Sequence, residues 1–594
     1  MVRYLSIAHN ERAPGGVSVP KNLLSLGRED ALDVPGLRRL VASVNRYLGD
    51  EPGTDAAALT GAADPGTAGA GAGLSITDSR PMGGAWLLDG LWRQLGIDTA
   101  LGEVLGARRF STDVERILFA LVANRALAPS SKLAATGWVT AEVAIPDLSG
   151  MSDDQAYRCM DLLLEADATG KVQESVFFTV AHLLNLEVDL LFFDTTSTYF
   201  ERDTEDSPDP GPEQDTATDA AGDGAGGDGA GGGFRRYGHS KDHRGDLPQV
   251  IIGLAVTREG IPVRVWCWPG NTADQSVLRQ VKDDLRDWRL GRVVTVVDRG
   301  FSSVANLDYL RRAGGHVIAG ERMRSGSAGV EEVLARQGRY REVRENLRVK
   351  EVRLEHSPGW RWIICHNPDQ AVRDAAARDG ALERITAELT RITDARARTK
   401  TRAGKASTAA AATKAAAART AEEEAHTRAE CALREHRALG RWLRQDNRGR
   451  LVIDTGKVKA EARLDGKYLL VTSDPDLPPG DVALGYKNLL EAERGFRDLK
   501  STLELRPIYH RLEPRIRAHV LLCWLALLLI RIAERRTGTT WPRIARELNR
   551  LHAVTLTGPA GTVVQTTEPT TAQIGFLRAC QIPAPPRITT AHPT

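Results

Sequence analysis

"VDLLFFDTTSTYF" (188–200) is the stretch on which the fold turns. Its apolar run from Leu190 to Phe193 has no polar break. Such a run marks a strand buried on both faces, as in an α/β sheet, rather than a half-solvated antiparallel strand. The run stops at Asp194. Further along, "RVVTVVDRG" (292–300) repeats the pattern and stops at Asp298. In open α/β sheets, functional groups collect at the C-terminal ends of strands. Two such strands side by side would bring two carboxylates together, and close anions need a proton or a cation between them. Oxygen donors with no His or Cys cluster beside them suit Mg²⁺ or Mn²⁺. Either aspartate taken alone reads equally as turn chemistry, since Thr-Thr-Ser and Arg-Gly follow them.

Working outward, "QVIIGLAVTREGIPVRVWCWPGN" (249–271) reads as two strands joined by a turn at Glu259–Gly260. Trp266 and Trp268 alternate on the second of these and share a packing face. A helix (274–290), the Asp298 strand, a second helix (303–314) and a last strand (316–323) follow. This order of strand, strand, strand, helix, strand, helix, strand predicts a mixed sheet. Its first strands are antiparallel and its later ones are added by helical crossovers. Residues 203–233 hold nine carboxylates and no Lys or Arg, and read as a disordered acidic loop. Residues 84–186 have helical periodicity, with Thr112 and Glu115 in capping-box spacing. Thr272 and Gln275 fit a second capping box.

The chain has 594 residues, too many for one core, and a net charge of only +2, so a nucleic-acid partner must be argued from local patches. Six cysteines without CxxC spacing argue against a disulfide framework or structural zinc. The N-terminus does not read as a signal peptide, and a reducing cytoplasm is the expectation. "VLLCWLALLLI" (520–530) is too short to span a bilayer and reads as a buried helix, so no membrane is expected. No GxxxxGK[ST] motif is present.

"YKNLLEAERGFRDLK" (486–500) reads as one helix. Leu489, Ala492, Phe496 and Leu499 form its core face, and Tyr486, Glu493, Arg497 and Lys500 a second face about 100° away. Glu493 could reach a sheet end from there, or pair with Arg497 at i,i+4.

Taken in order, "FFDTTSTYFE", "GHSKDHRGDLPQVIIGLAV", "PGNTADQSVL", "VVDRGF" and "YKNLLEAERGFRDLK" resemble the DDE transposases of bacterial insertion sequences. More narrowly, they resemble the superfamily with the signature Tyr-x2-Arg-x3-Glu-x6-Lys. Tyr486, Glu493 and Lys500 stand at its spacing, and Leu489 replaces its arginine, whose contact is then absent or made by Arg494 or Arg497.

The resemblance implies an α/β, ribonuclease-H-like mixed-sheet core with an inserted domain, preceded by a mainly helical N-terminal region. It implies Asp194, Asp298 and Glu493 as catalytic, metal-binding triad, with two Mg²⁺ (or Mn²⁺) ions straddling the scissile phosphate. The expected partners are double-stranded DNA, as terminal inverted repeats and as target, and a second copy of the chain in a synaptic dimer. Tyr486 and Lys500 would contact DNA phosphates. Arg494, Arg497, Lys241, Arg244 and Arg299 are further DNA candidates, as is the basic stretch 497–517. His239 and His243 read as surface residues.

The expected organisation is an N-terminal region and linker (1–75), a helical region suited to end binding (76–186), the first part of the core (187–322), an insertion domain with a helical arm (323–475), the second part of the core with C-terminal helices (476–555) and a tail (556–594). The expected activity is Mg²⁺-dependent DNA cleavage and strand transfer in the cytoplasm, at the nucleoid. The alternatives are a silent DNA-binding relative or a stand-alone nuclease of the same fold.

Overall fold

A computed structural model describes residues 4–12, 18–28 and 74–593, apart from 107–112, 168–169, 187, 207–232, 289, 291–292, 325 and 403–408. The expected linker at 50–73, Thr112 and most of the acidic loop lie outside the described residues. Residues 1–73 and 74–594 are two separate compact units. In the first, β1 (Tyr4–Arg12) and β2 (Ser18–Arg28) form an antiparallel hairpin.

The second unit opens with β3 (Ser75–Pro81) and a mainly helical region. It comprises α1 (Gly83–Gln94), α2 (Ile97–Leu105), α3 (Val114–Leu127), α4 (Lys132–Gly137), α5 (Asp153–Ala166) and α6 (Lys171–Leu183). The cap of α3 is Asp113, whose carboxylate accepts from Arg116 N at 3.1 Å. Glu115 accepts from Trp92 Nε1 at 2.5 Å and pairs with its neighbour Arg116.

Next come β4 (Leu190–Tyr199), β5 (Gln249–Thr257), β6 (Pro262–Pro269), α7 (Asp274–Arg286), β7 (Val294–Val297), α8 (Val304–Arg311) and β8 (His316–Glu321). β4, β5 and β6 pair antiparallel, while β7 and β8 join parallel through the two helical crossovers. Gly260, at φ +76°, makes the turn between β5 and β6. The order β6-β5-β4-β7-β8 is that of a ribonuclease-H-like core.

The stretch expected as an inserted domain does not stand apart from this sheet. After α9 (Ala328–Ala335), strands β9 (Arg341–Arg344), β10 (Leu347–Arg353) and β11 (Arg361–His366) extend it, and β14 (Lys467–Thr472) joins them to β8. The result is one nine-stranded sheet, ordered β6-β5-β4-β7-β8-β14-β11-β10-β9. The apolar residues of "WRWIICH" and "YLLVT" need partners on both sides, and the open edge of β8 supplies one. Only the arm, α10 (Pro368–Arg402) and α11 (Ala409–Glu435), stands off the sheet, together with the small hairpin β12 (Leu443–Gln445) and β13 (Leu451–Ile453) and α12 (Thr455–Ala462).

The sheet is covered on both faces. One face packs under α7 and α8, where Trp266 and Trp268 stack with centroids 6.2 Å apart. The other packs under α13 (Pro479–Lys487), α14 (Leu490–Ser501) and α15 (Glu513–Thr537). α15 is long and apolar enough to cross a bilayer, but its apolar window is 94% buried within the protein, against α3, α5 and β6.

The expected tail is folded. After α16 (Trp541–Leu548), β15 (His552–Gly558), β16 (Gly561–Thr566), α17 (Thr571–Ala579) and β17 (Ile588–Pro593) build a four-stranded sheet ordered β17-β16-β15-β3. The β-branched threonines here serve as strand residues. The acidic loop is likewise anchored at its base: Arg235 pairs with Asp206 at 2.6 Å and Tyr237 Oη donates to Asp203 O at 2.5 Å.

Candidate active site

The register of β4 and β7 places the two aspartates. Phe193 lies opposite Val297, so Asp194 and Asp298 are the next residues on adjoining parallel strands. β7 ends there, but β4 does not: its pairing with β5 continues to Tyr199. Asp194 therefore marks the point where β7 lets go, not the end of its own strand. Below it, Phe193 and Phe301 meet edge to face at 5.4 Å and fix the floor.

The Asp194 side chain is 21% exposed, and the backbone N–H of Thr195 donates to its Oδ1 at 2.7 Å. Burial pushes its carboxyl up to about 6. The Lys241 ammonium and the Thr195 N–H oppose that shift, while Asp298 and Asp274 add to it. Asp298 accepts from Tyr486 Oη at 2.8 Å. Burial, and then Asp298, hold the Tyr486 phenol well above its usual range, so it remains a donor.

Asp274 was not expected here. It is the first residue of α7, after a cap, Ala273, with no side-chain bond, so the Thr272–Gln275 capping box does not form. Its Oδ1 accepts from Thr195 Oγ1 at 2.7 Å and its Oδ2 stands 3.1 Å from Lys241 Nζ. Lys241 Nζ also donates to Thr195 O at 2.7 Å and Thr195 Oγ1 at 2.6 Å, and lies 3.9 Å from Asp194. Lys241 is thus engaged among carboxylates rather than free for DNA. In sequence, Asp274 reads as first-turn helix chemistry; its register with Thr195 exists only once α7 is folded back on β4.

The stretch 486–500 is not one helix. α13 ends at Lys487 and α14 starts at Leu490. Across the join, Leu489 N bonds Tyr486 O and Glu491 N bonds Asn488 O, a three-residue step tighter than an α-turn. Leu489 is buried in the core, as its face predicted. Gly495 lets α14 approach the sheet closely, since a Cβ there would sit 2.7 Å from Leu254 Cδ2. Glu493 is exposed, and among the described residues its side chain has no hydrogen bond or ion pair, with Arg497 or any other. Of its neighbours in the signature, Tyr486 reaches Asp298, while Lys500 donates to Asp242 at 2.8 Å. Glu493 and Lys500 lie two turns apart on one face, about 10 Å along the axis.

The other cation candidates are mostly taken. Arg494 lies 3.3 Å from Glu534, and Arg244 pairs with Asp246 at 2.9 Å while standing over Tyr199. In the stretch 497–517, Arg506 pairs with Asp242 and Arg517 with Glu513, so the expected patch is largely consumed by internal pairing. Arg299 and Arg497 are exposed. Among the described residues, no three His, Cys, Asp or Glu side chains stand close enough to hold a metal ion. The donor chemistry of the Asp194–Asp298 pair nevertheless fits a hard cation: two oxygen donors, one with its carboxyl driven up by burial and by anionic neighbours that a cation would relieve.

Residues 210–529 match the family described as "Transposase DDE domain", over half of the chain. The chain belongs to this family. The matched segment of the transposase domain begins beyond Asp194 and takes in Asp298 and Glu493. No curated protein matches the chain. Among solved structures it is similar to a piggyBac transposase synaptic complex with hairpin DNA, at 9% identity and a TM-score of 0.31, over 79% of this chain and 78% of that one.

Proposed function

We propose that this transposase is active: it binds the ends of an insertion sequence, cleaves there and joins the freed 3′-OH to target DNA. The more specific reading is membership of the superfamily with the Tyr-x2-Arg-x3-Glu-x6-Lys signature. The observation that carries it is the pairing of Asp194 and Asp298 on neighbouring parallel strands, with Tyr486 hydrogen-bonded to the second.

Asp194, Asp298 and Glu493 would hold divalent ions, which when bound supply an activated water and a stabilised leaving oxygen. The chain's own residues prepare that place. Thr195 N–H fixes Asp194 Oδ1, Tyr486 fixes Asp298 Oδ1, and each aspartate keeps its other oxygen free to face a ligand. The Lys241 ammonium tempers the repulsion among Asp194, Asp274 and Asp298 before any ion arrives. No nucleophilic side chain is required, because a water and then a DNA 3′-OH do the attacking. Bringing two DNA ends together calls for two copies of the chain.

The test uses duplexes bearing the inverted repeats that flank the gene. Wild-type protein with Mg²⁺ should cut at the repeat end and transfer the strand. Asp194→Asn, Asp298→Asn and Glu493→Gln should each lower cleavage by about 10³-fold or more while DNA affinity is kept. Substantial cleavage by any one variant removes that residue from the triad. Binding without cleavage by the wild type identifies a silent relative.

A further inference from the structure

We propose that Gly320 and Tyr468 form the slot that aims the Tyr486 phenol at Asp298, and that both are positioning residues for the divalent-ion site. The proposal rests on the transposase reading. Asp194 has a backbone donor, the Thr195 N–H, to hold its carboxylate. Among the described residues, the Asp298 carboxylate has one hydrogen bond, from Tyr486 Oη at 2.8 Å. The direction of that carboxylate therefore depends on where the phenol is held. Outer partners of this kind change ion affinity about 10–100-fold when they are lost.

Sheet register puts Gly320 under the phenol. Val297 lies opposite Ala319 on parallel strands, so Asp298 and Gly320 come next, side by side. Val297 and Ala319 both pack into the core on the α7 side. The two positions after them therefore turn to the face that α13 covers. α13 brings Tyr486 down on that face, and its ring crosses β8 to reach Asp298. A Cβ at residue 320 would collide with Tyr486 Oη and stand 2.9 Å from its Cζ. No side chain fits there while the phenol keeps its place. A glycine inside a strand weakens it, and no positive φ calls for one at this position. Close approach of the phenol is the remaining reason for it. Tyr468 closes the slot from the side. Its ring stacks on that of Tyr486, with centroids 6.3 Å and planes 27° apart. It stands on β14, two residues before Leu470, which pairs with Gly320. The strand that follows the arm thus supplies part of the frame around Asp298.

The experiment uses the full chain and reads Mn²⁺ binding by calorimetric titration, with and without an end duplex. It also reads the melting temperature and the Mg²⁺ concentration giving half-maximal cleavage. Gly320→Ala and Tyr486→Phe are each expected to weaken Mn²⁺ binding about 10-fold and to raise the Mg²⁺ requirement in proportion. Tyr468→Leu should act in the same direction by a smaller factor. In the Tyr486→Phe background the hydroxyl is already gone, so adding Gly320→Ala should weaken binding by less than about twofold more. Plain damage to the sheet would instead add in full. A Gly320→Ala defect that persists undiminished in the Tyr486→Phe background therefore overturns the slot. So does a Gly320→Ala chain with a lowered melting temperature but unchanged Mn²⁺ affinity. Should Gly320→Ala not fold, Tyr468→Leu carries the test, alone and combined with Tyr486→Phe. An effect of Tyr468→Leu on Mn²⁺ affinity that is absent, or fully additive with Tyr486→Phe, overturns the slot equally. A wild-type chain that neither binds Mn²⁺ nor cleaves the end duplex overturns the transposase reading and the slot with it. Wild-type activity with unaffected variants overturns the slot alone.

Discussion

The Asp194 carboxyl sits where an anion is disfavoured. Burial and the neighbouring Asp298 and Asp274 carry its carboxyl up to about 6, from an ordinary value of 3.8. The folded protein thus holds this proton more tightly than the unfolded chain does. Without divalent ions, the stabilisation from Asp194 is full below about 4 and is lost as the pH rises through about 6, a difference of up to about 3 kcal/mol. Melting temperatures in EDTA should therefore fall between pH 5 and pH 7, and Asp194→Asn should flatten the fall. A variant with the wild-type slope would show that Asp194 does not titrate there. At this scale the sequence was partly legible. Two apolar runs stopping at aspartates marked Asp194 and Asp298, which the register of β4 and β7 brings side by side. It could not show that Asp274 joins them, because that contact depends on how α7 folds back on β4. Nor could it show that Tyr486 and Lys500 are held by Asp298 and Asp242, since nothing local marks a partner 188 or 258 residues away.

At the scale of elements, periodicity carried well wherever one face is buried. The order from β4 to β8, the turn at Gly260 and the core face of α14 follow from apolar spacing alone. It failed where long-range pairing decides. β9, β10, β11 and β14 looked like a separate domain because a long arm interrupts them, yet they complete the nine-stranded sheet. The helical region carries its own oddity. Lys132, the first residue of α4, is buried, and its ammonium meets His519 Nδ1 at 3.4 Å, with Arg125 and Cys523 also facing it. His519 donates its Nε2–H to Leu505 O at 3.2 Å, and burial keeps its ring neutral. Burial, with Arg125, pulls the Lys132 ammonium down to about 7. A lysine so lowered binds its proton less tightly when folded, so stability rises with pH from about 7 toward 10.5. Lys132→Met should remove that rise and stabilise the chain at pH 7 by about 1–4 kcal/mol. Urea denaturation at pH 7 and pH 9 measures both effects, and a destabilised methionine variant would mean that Lys132 is a needed part of the packing.

On the scale of the whole molecule, the arm and the aspartates share an edge. β11 ends at His366 opposite Lys467 of β14, and β14 pairs with the C-terminal end of β8, the neighbour of the Asp298 strand. The arm therefore springs from the carboxylate-bearing edge, three strand positions from β7, or about 15 Å. The unit from Leu74 onward is also closed by its own end: β3 pairs with β15 alone, and Met82 N and Gly83 N both bond Leu551 O. A chain stopped after Leu551 should expose β3 and lose soluble expression; a soluble product melting like the full chain would show that the closure is dispensable. During translation, β3 leaves the ribosome on the order of a minute before its partner strand exists, at about 5–20 residues per second. Until the last stretch is made, that edge has only other nascent copies to pair with. A gene interrupted before that stretch would then yield an aggregating product rather than a half-working one.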